Sequence, residues 1–251
     1  MKKLISLFLA LSLLLCTMMA LTSCGEEETP ERMIVSALEK TNALDDYAGK
    51  MNISMELDMS GQAISVIMNT DMKMENATSD NPKMQMDLEM WILGTKVTAT
   101  SYSDNEWVYT VSPDGNSKTR IEESETTQLE TILKDLPTEV FEGVEIVDEE
   151  DGTRSVTVAI PDDIFNEIYS ELLDTVTESF GAQDATVTIS SAVVKIKVKD
   201  DLVTSYDISF DMETSISGTT VTANVNATVE FTQYEGIQVT FPEGCENFPE
   251  I

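Results

Sequence analysis

From Met51 onward apolar and polar residues alternate along the chain. Met51, Ile53, Met55, Leu57 and Met59 are separated by polar residues, which is the two-residue period of a strand with one covered and one wet face. The pattern restarts after Ser60-Gly61 at Ile64, Val66, Met68, Met72 and Met74, with Thr70 in step. It continues, past a polar loop at 76–82, through Met84, Met86, Leu88, Met90 and Ile92, a turn at Gly94, and Val97 and Ala99. Trp107, Tyr109 and Val111 mark a further strand, stopped by Ser112-Pro113-Asp114-Gly115. Val144–Val147 and Val156–Ile160 flank Asp151-Gly152, a hairpin signal. Three long strands follow at 185–199, 202–216 and 219–233, turned at Asp200-Asp201 and Gly218, then a short one at 237–241. Such alternation over long stretches predicts an antiparallel sheet.

Three segments change period. Met33, Ile34, Ala37, Leu38 and Ala43-Leu44 recur three to four apart, which predicts an amphipathic helix over 31–44, ended by Asp45, Asp46 and Gly49. Leu129, Ile132, Leu133 and Leu136 predict a short helix over 126–136 ahead of Pro137. Ile164, Phe165, Ile168, Leu172, Val176 and Phe180 predict a long helix over 161–180, with Pro161 at its start and Gly181 just past its end. The expected fold is therefore α+β: a single strongly curved antiparallel sheet, a half-barrel, packed on two or three helices. Residues 86–100 and 210–224 are identical in eight of fifteen columns, Gly94 matching Gly218. This fits one hairpin design used repeatedly.

The first residues follow neither pattern. Lys2 and Lys3 precede an almost wholly apolar run from Leu4 to Leu21, then Thr22, Ser23 and Cys24. A basic start, an apolar core and small residues before a cleavage point make a secretory signal. A run of this length also reaches the lower limit of a membrane span. The Leu21-Thr22-Ser23-Cys24 ending favours the signal, because it resembles the lipobox of bacterial lipoproteins. That resemblance implies that the Cys24 thiol carries a diacylglycerol and begins the mature chain. The expected organisation is a signal peptide at 1–23, a lipidated acidic tether at 24–30 and one domain at 31–251.

Charge narrows the partners. The chain carries 15 Lys and Arg against 46 Asp and Glu. Loss of residues 1–23 removes two lysines and no acids, which leaves 13 against 46, a net charge of −33. Nucleic acid is excluded, since its phosphates call for Lys and Arg. Docking on anionic headgroups is disfavoured, so a covalent anchor on Cys24 becomes the expected link to the extracytoplasmic face of a bacterial membrane. There is no histidine, which removes Ser-His-Asp and Cys-His catalysis and His-ligated metals. Cys16 leaves with the signal and Cys24 is acylated, so Cys245 stands alone as a packed small hydrophobe. No cofactor and no metal are expected, and a monomer is. The acidic run 148–152 lacks the spacing of a calcium loop and fits a hairpin turn. The Asn52, Asn76 and Asn226 sequons carry no meaning in a bacterial host.

The layout as a whole resembles Gram-positive lipoproteins of the LolA/LolB/LppX lipoprotein-carrier type. The likeness rests on Ala37-Leu38-Glu39-Lys40 with Leu44 and Tyr47, on Lys199-Asp200-Asp201-Leu202, and on the segment from Tyr234 to Pro242. It implies an apolar cavity between sheet and helices that holds acyl chains, and no catalytic residue.

Fourteen methionines concentrate the question, since most of those beyond the signal fall in 51–90. Met is deformable, so it suits plain core packing and also a lining that repacks around varied apolar ligands. The pairs Met72/Met74 and Met84/Met86 also suit soft metals such as Cu(I), though such a site would be all thioether. The expected ligand-lining residues are Met55, Met68, Met72, Met74, Met84, Met86, Met90, Phe165, Ile168 and Leu172. The expected activity is non-enzymatic binding of a lipid or acyl chain. The competing expectation is a filled-core module that contacts another envelope protein through Trp91, Tyr102 and Trp107.

Overall fold

The computed structural model describes residues 28–59, 61–121, 136–168, 186–216 and 219–251. Helix α1 runs Pro30–Asn42. The Thr29 hydroxyl accepts from the Arg32 N–H at 3.3 Å, Pro30 opens the first turn and Lys40 sits in the last, an arrangement that satisfies the end groups of a helix. Met33, Ile34, Ala37 and Leu38 form its buried face.

The strands are β1 (Tyr47–Met59), β2 (Gln62–Glu75), β3 (Lys83–Ile92), β4 (Thr95–Ser103), β5 (Trp107–Ser112), β6 (Gly115–Arg120), β7 (Val147–Asp148), β8 (Arg154–Ile160), β9 (Thr186–Lys199), β10 (Leu202–Ile216) and β11 (Thr219–Gln233). All eleven join one sheet in the order β6-β5-β4-β3-β2-β1-β11-β10-β9-β8-β7, and neighbours are antiparallel throughout. The chain thus starts at the sheet's middle, meanders out to β6, crosses to the opposite edge at β7, and meanders back until β11 lies beside β1. Gly61 and Gly94 take positive φ at their turns, as two-residue hairpins require, and Gly152 does so in the longer β7–β8 connection.

The expectation of a sheet packed on two or three helices is corrected here. The described residues form a single large antiparallel sheet, and their only α-helices are α1 and α2 (Asp162–Ile168). Of the expected helix over 161–180, the described part is seven residues long, and 169–180 fall outside the described residues. The expected helix over 126–136 also lies outside them, apart from Leu136, which is buried beside a 3₁₀ turn at Thr138–Phe141.

Two further differences are local. Gly115–Arg120 forms β6 although its sequence, GNSKTR, has no apolar alternation. Residues 237–241 do alternate, but they join no strand. They belong to a C-terminal tail laid across the sheet, and their period reflects what they cover rather than what they pair with.

The main core lies between α1, α2, the 3₁₀ turn and β8–β10. It contains Met33, Ile34, Phe141, Val156, Val158, Phe165, Val194, Ile196, Val198 and Val203. Full burial of side chains such as Met33 and Ile34 contributes about 1.5–3 kcal/mol each. Helix α2 is stitched to an irregularity in β9. Asn166 accepts from the Ile189 N–H at 2.9 Å and donates to its carbonyl at 2.6 Å. The Asp162 carboxylate accepts from the N–H of Ser191 at 2.9 Å, a residue with φ of 57°.

Candidate functional site

Cross-strand partners share a face, so the register traces each face from strand to strand. One row reads Val97, Met90, Met68, Ile53, Ala227, Ile208, Val194, Val158. Another reads Ala99, Leu88, Thr70, Met51, Val229, Tyr206, Ile196, Val156. A single apolar face therefore spans eight strands. Its β8–β10 part lies under the helices as core. On β1–β4 the same face is mostly half-buried.

The expected methionines all meet on this second part. Met68 stands opposite Met90, Met72 opposite Met86 and Met74 opposite Met84. Met55 stands between Val66 on β2 and Val225 on β11. Each of the seven is half-buried, and none belongs to the helix-covered core. Phe165 sits elsewhere. It is 2% exposed within that core, its ring 5.9 Å from that of Phe210. Phe210 in turn pairs with Val225, the partner of Met55, so Phe165 stands at the border between core and methionine face. Ile168 ends α2. Leu172 and Cys24 lie outside the described residues.

Sorting by charge is complete. On β1–β4 the face carries Tyr47, Gly49, Met51, Ile53, Met55, Leu57, Met59, Gln62, Ile64, Val66, Met68, Thr70, Met72, Met74, Met84, Met86, Leu88, Met90, Ile92, Thr95, Val97, Ala99, Ser101 and Ser103. None is ionisable in the physiological range. Every Asp, Glu, Lys and Arg of β1–β4 is on the opposite face: Lys50, Glu56, Asp58, Asp71, Lys73, Glu75, Lys83, Asp87, Glu89 and Lys96. In so acidic a chain, this marks a surface that holds no charge on its own account.

One end of the face is aromatic. Phe231 packs edge-on to Tyr47 at 5.8 Å and to Tyr206 at 6.3 Å, and stacks with Tyr234 at 6.1 Å. The Tyr234 hydroxyl donates to the Val203 carbonyl at 2.8 Å. Burial, and then Tyr47, pushes the Tyr206 phenol up to about 12. Phe231 lies opposite Gly49, where β1 shifts register. A Cβ on Gly49 would stand 2.8 Å from the Glu230 carbonyl oxygen, so the close approach of β1 and β11 needs glycine.

The opposite face has its own cover, which sequence reasoning missed. The tail beyond β11 crosses β2 and reaches β6. The Val239 N–H donates to the Glu75 carboxylate at 2.6 Å. Phe241 packs on Tyr102 and Tyr109, and Phe248 on Tyr109. The Lys118 N–H donates to the Pro249 carbonyl at 2.8 Å, and the Ile251 N–H to the Lys118 carbonyl at 3.1 Å. Cys245 is buried here, and burial raises its thiol pKa. The outward aromatics of β4 and β5 were the available signal: Tyr102, Trp107 and Tyr109 share the charged face and need a cover of their own. Of the three aromatics expected to be exposed, Tyr102 is half-buried under the tail and Trp107 holds the Lys118 ammonium 4.7 Å above its ring. Trp91 is 39% exposed. Two open depressions, about 510 and 480 Å³, lie mainly on this charged face, around Asp71, Asp87 and Glu89 and around Glu56, Asp211 and Asn224. Neither is lined by any of the seven methionines of β1–β3. Among the described residues no cluster of Asp, Glu or Cys is grouped to hold a metal, and no helix is long and apolar enough to cross a membrane.

Sheet and site define an antiparallel β protein with one uncharged, partly covered face. The chain belongs to a family described as "Family of unknown function (DUF6612)", whose profile matches residues 29–246. No curated protein matches it. Among solved structures it is similar to LprF from Mycobacterium bovis, at 11% identity and a TM-score of 0.45, over 85% of this chain and 97% of that one. It is also similar to a DUF1849 β-barrel-like protein from Brucella abortus, at 9% identity and 0.26, over 76% and 100%. A DUF1329 protein from Desulfovibrio piger matches at 9% and 0.23, over 82% and 93%. At these scores the likenesses carry no argument about function.

Proposed function

We propose that this chain is a lipid-anchored, extracytoplasmic, non-enzymatic protein that binds a hydrophobic ligand, a lipid or acyl chain, on the uncharged face of β1–β4. One observation carries the reading: the apolar rows that form core under the helices run on through β11 and then, half-buried and without a charge, across β1–β4. Met55, Met68, Met72, Met74, Met84, Met86 and Met90 line the site, and Phe165 stands at its border. Each methylene that leaves water on this surface contributes about 0.8 kcal/mol. From Tyr47 to Leu57 the strip runs about 33 Å at about 3.3 Å per residue, which suits an extended chain. The protein acts as a monomer held by the acyl group on Cys24.

Native mass spectrometry of the protein extracted from its own membrane tests both parts. The expected spectrum shows diacylglycerol on Cys24 and a co-purifying lipid. Met68→Asp with Met90→Asp sets two carboxylates side by side on the strip and is expected to abolish the lipid while circular dichroism stays unchanged. A protein free of lipid, with Cys24 unmodified, overturns the reading.

A second reading has one observation in its favour. Ile67 and Trp91, cross-strand partners on the charged face, lie near the turn residue Leu93, and the three are 43%, 39% and 73% exposed, as a contact with another envelope protein would require. It gains if no lipid is found and Trp91→Ala removes a partner that co-purifies with the wild type.

A further inference from the structure

The charge sorting of the sheet bears on what the ligand's headgroup is. An amphiphile with an ionised carboxylate or phosphate needs a cation or a cluster of donors where its head leaves the apolar strip. Residues beyond Ser23 include 13 Lys and Arg, and their positions are telling. Lys50, Lys73, Lys83 and Lys96 are on the charged face of β1–β4, as are Lys118 and Arg120 on β6. Lys195, Lys197 and Lys199 lie on that same face of β9, with Glu149 and Asp151 as partners. Lys40 and Arg154 both bond Asp201, and Arg154 also bonds Glu28. Arg32 is on the exposed side of α1. Lys134 falls outside the described residues. No described cation faces the methionine strip, from its aromatic end at Tyr47 to the β1–β2 turn.

Acids, in contrast, stand beside the aromatic end of the strip, where Asp45 and Asp46 precede Tyr47 and Asp104 follows Ser103. At the other end Asp58 and Lys96 both lie on the opposite face. The polar groups on the strip itself are neutral: Thr70, Ser101 and Ser103, with Gln62 and Thr95 near the turns. They offer hydrogen bonds to hydroxyls, esters and amides, and no countercharge.

We infer that the strip selects uncharged amphiphiles, such as acylglycerols or acyl amides, and rejects fatty-acid and phospholipid anions. This inference rests on the proposed lipid-binding function and names its ligand class. The selection comes from the lack, among the described residues, of a cation on the β1–β4 strip of a strongly acidic chain.

A matched pair of probes isolates charge. Hexadecanamide and hexadecanoate share chain and shape and differ in the head. Both are used to displace a pyrene-labelled monoacylglycerol from the full-length protein at pH 8 and low ionic strength, below their aggregation limits. Hexadecanamide is expected to displace the label at a concentration at least tenfold lower than hexadecanoate. Added salt is expected to narrow that ratio, because it screens the acidic surroundings. Ser101→Lys places one ammonium on the strip and is expected to bring hexadecanoate to within threefold of the amide. Equal displacement by the two probes overturns the inference and leaves the lipid-binding reading standing. A wild-type preference for the amide that Ser101→Lys does not reduce, in a protein that still binds the label, also overturns it. A label that never binds sinks the lipid-binding reading itself.

Discussion

The Thr41 hydroxyl accepts a hydrogen bond from the backbone N–H of Val203 at 2.9 Å while donating to the carbonyl of Ala37 at 2.8 Å. Both Thr41 and Val203 are buried. One side chain thus ties the last turn of α1 to the first residues of β10, 162 positions away in sequence. The Lys40–Asp201 ion pair at 2.7 Å spans the same gap in solvent, where it contributes little. Thr41→Val keeps the shape and strands the Val203 N–H. The expected loss is about 1–3 kcal/mol in urea unfolding, with Thr41→Ser close to wild type. If Thr41→Val unfolds at the wild-type midpoint, the bond does not hold α1 to the sheet.

Gly49→Ala tests the close approach of β1 and β11. The added methyl meets a backbone oxygen, which cannot swing aside as a side chain can. The cost expected from forced overpacking is about 1–3 kcal/mol, read as a lower thermal midpoint. Gly61→Ala differs in kind, since nothing lies near its Cβ and only the positive φ is strained.

Glu75 predicts an acid-labile tail. The Val239 N–H, with Lys83 adding to it, holds the Glu75 carboxyl below its ordinary 4.5, and partial burial opposes them. A carboxyl lowered in the folded state stabilises above its unfolded pKa, and the contribution disappears as pH falls through the folded value. The protection factor of the Val239 amide is expected to be high at pH 6 and to fall once pH drops below about 4.5. In Glu75→Gln that pH dependence is expected to vanish. Persistence of the acid step in the variant assigns it to another carboxyl.

Tyr206 makes the alkaline counterpart. Its phenol is raised from 10.0 to about 12, so the neutral form is the one the fold favours. The contribution is whole below pH 10 and is lost as pH rises through about 12. Ultraviolet titration is expected to show a late component that ionises with alkaline unfolding, Tyr206 among other phenols raised by burial such as Tyr47 and Tyr109. Tyr206→Phe is expected to shrink that component by one phenol and move the unfolding midpoint to higher pH.

The long strands were legible because their inward positions are apolar at strict period two, as in Met51 to Met59 and Met84 to Ile92. Helix α1 was legible from Met33, Ile34, Ala37 and Leu38. The methionines were correctly placed together on one face, since alternation fixes side as well as strand. What alternation could not show was which part of that face a helix covers, because Met68 and Val194 read alike in sequence and only one is core. It also assumed one wet face throughout. Tyr102 and Tyr109 break that assumption, because the last eighteen residues return to cover them. Strand β6 was invisible for a related reason: Gly115–Arg120 is held by backbone pairing to β5 and by Lys118 to the tail, and neither needs an apolar side chain.

The seam between β1 and β11 joins the first strand of the sheet to the last. As the chain emerges N-terminus first, β1 to β6 are complete while the β11 partner of β1 is still more than a hundred residues further on. Until β11 arrives, a long strand with exposed backbone donors and acceptors stands open beside its finished neighbours. Such an edge is a template for pairing with a second chain, and distant closure of this kind is slow. The vulnerable species is therefore a half-made sheet, and any factor that shields nascent chains has the unpaired side of β1 as its natural target.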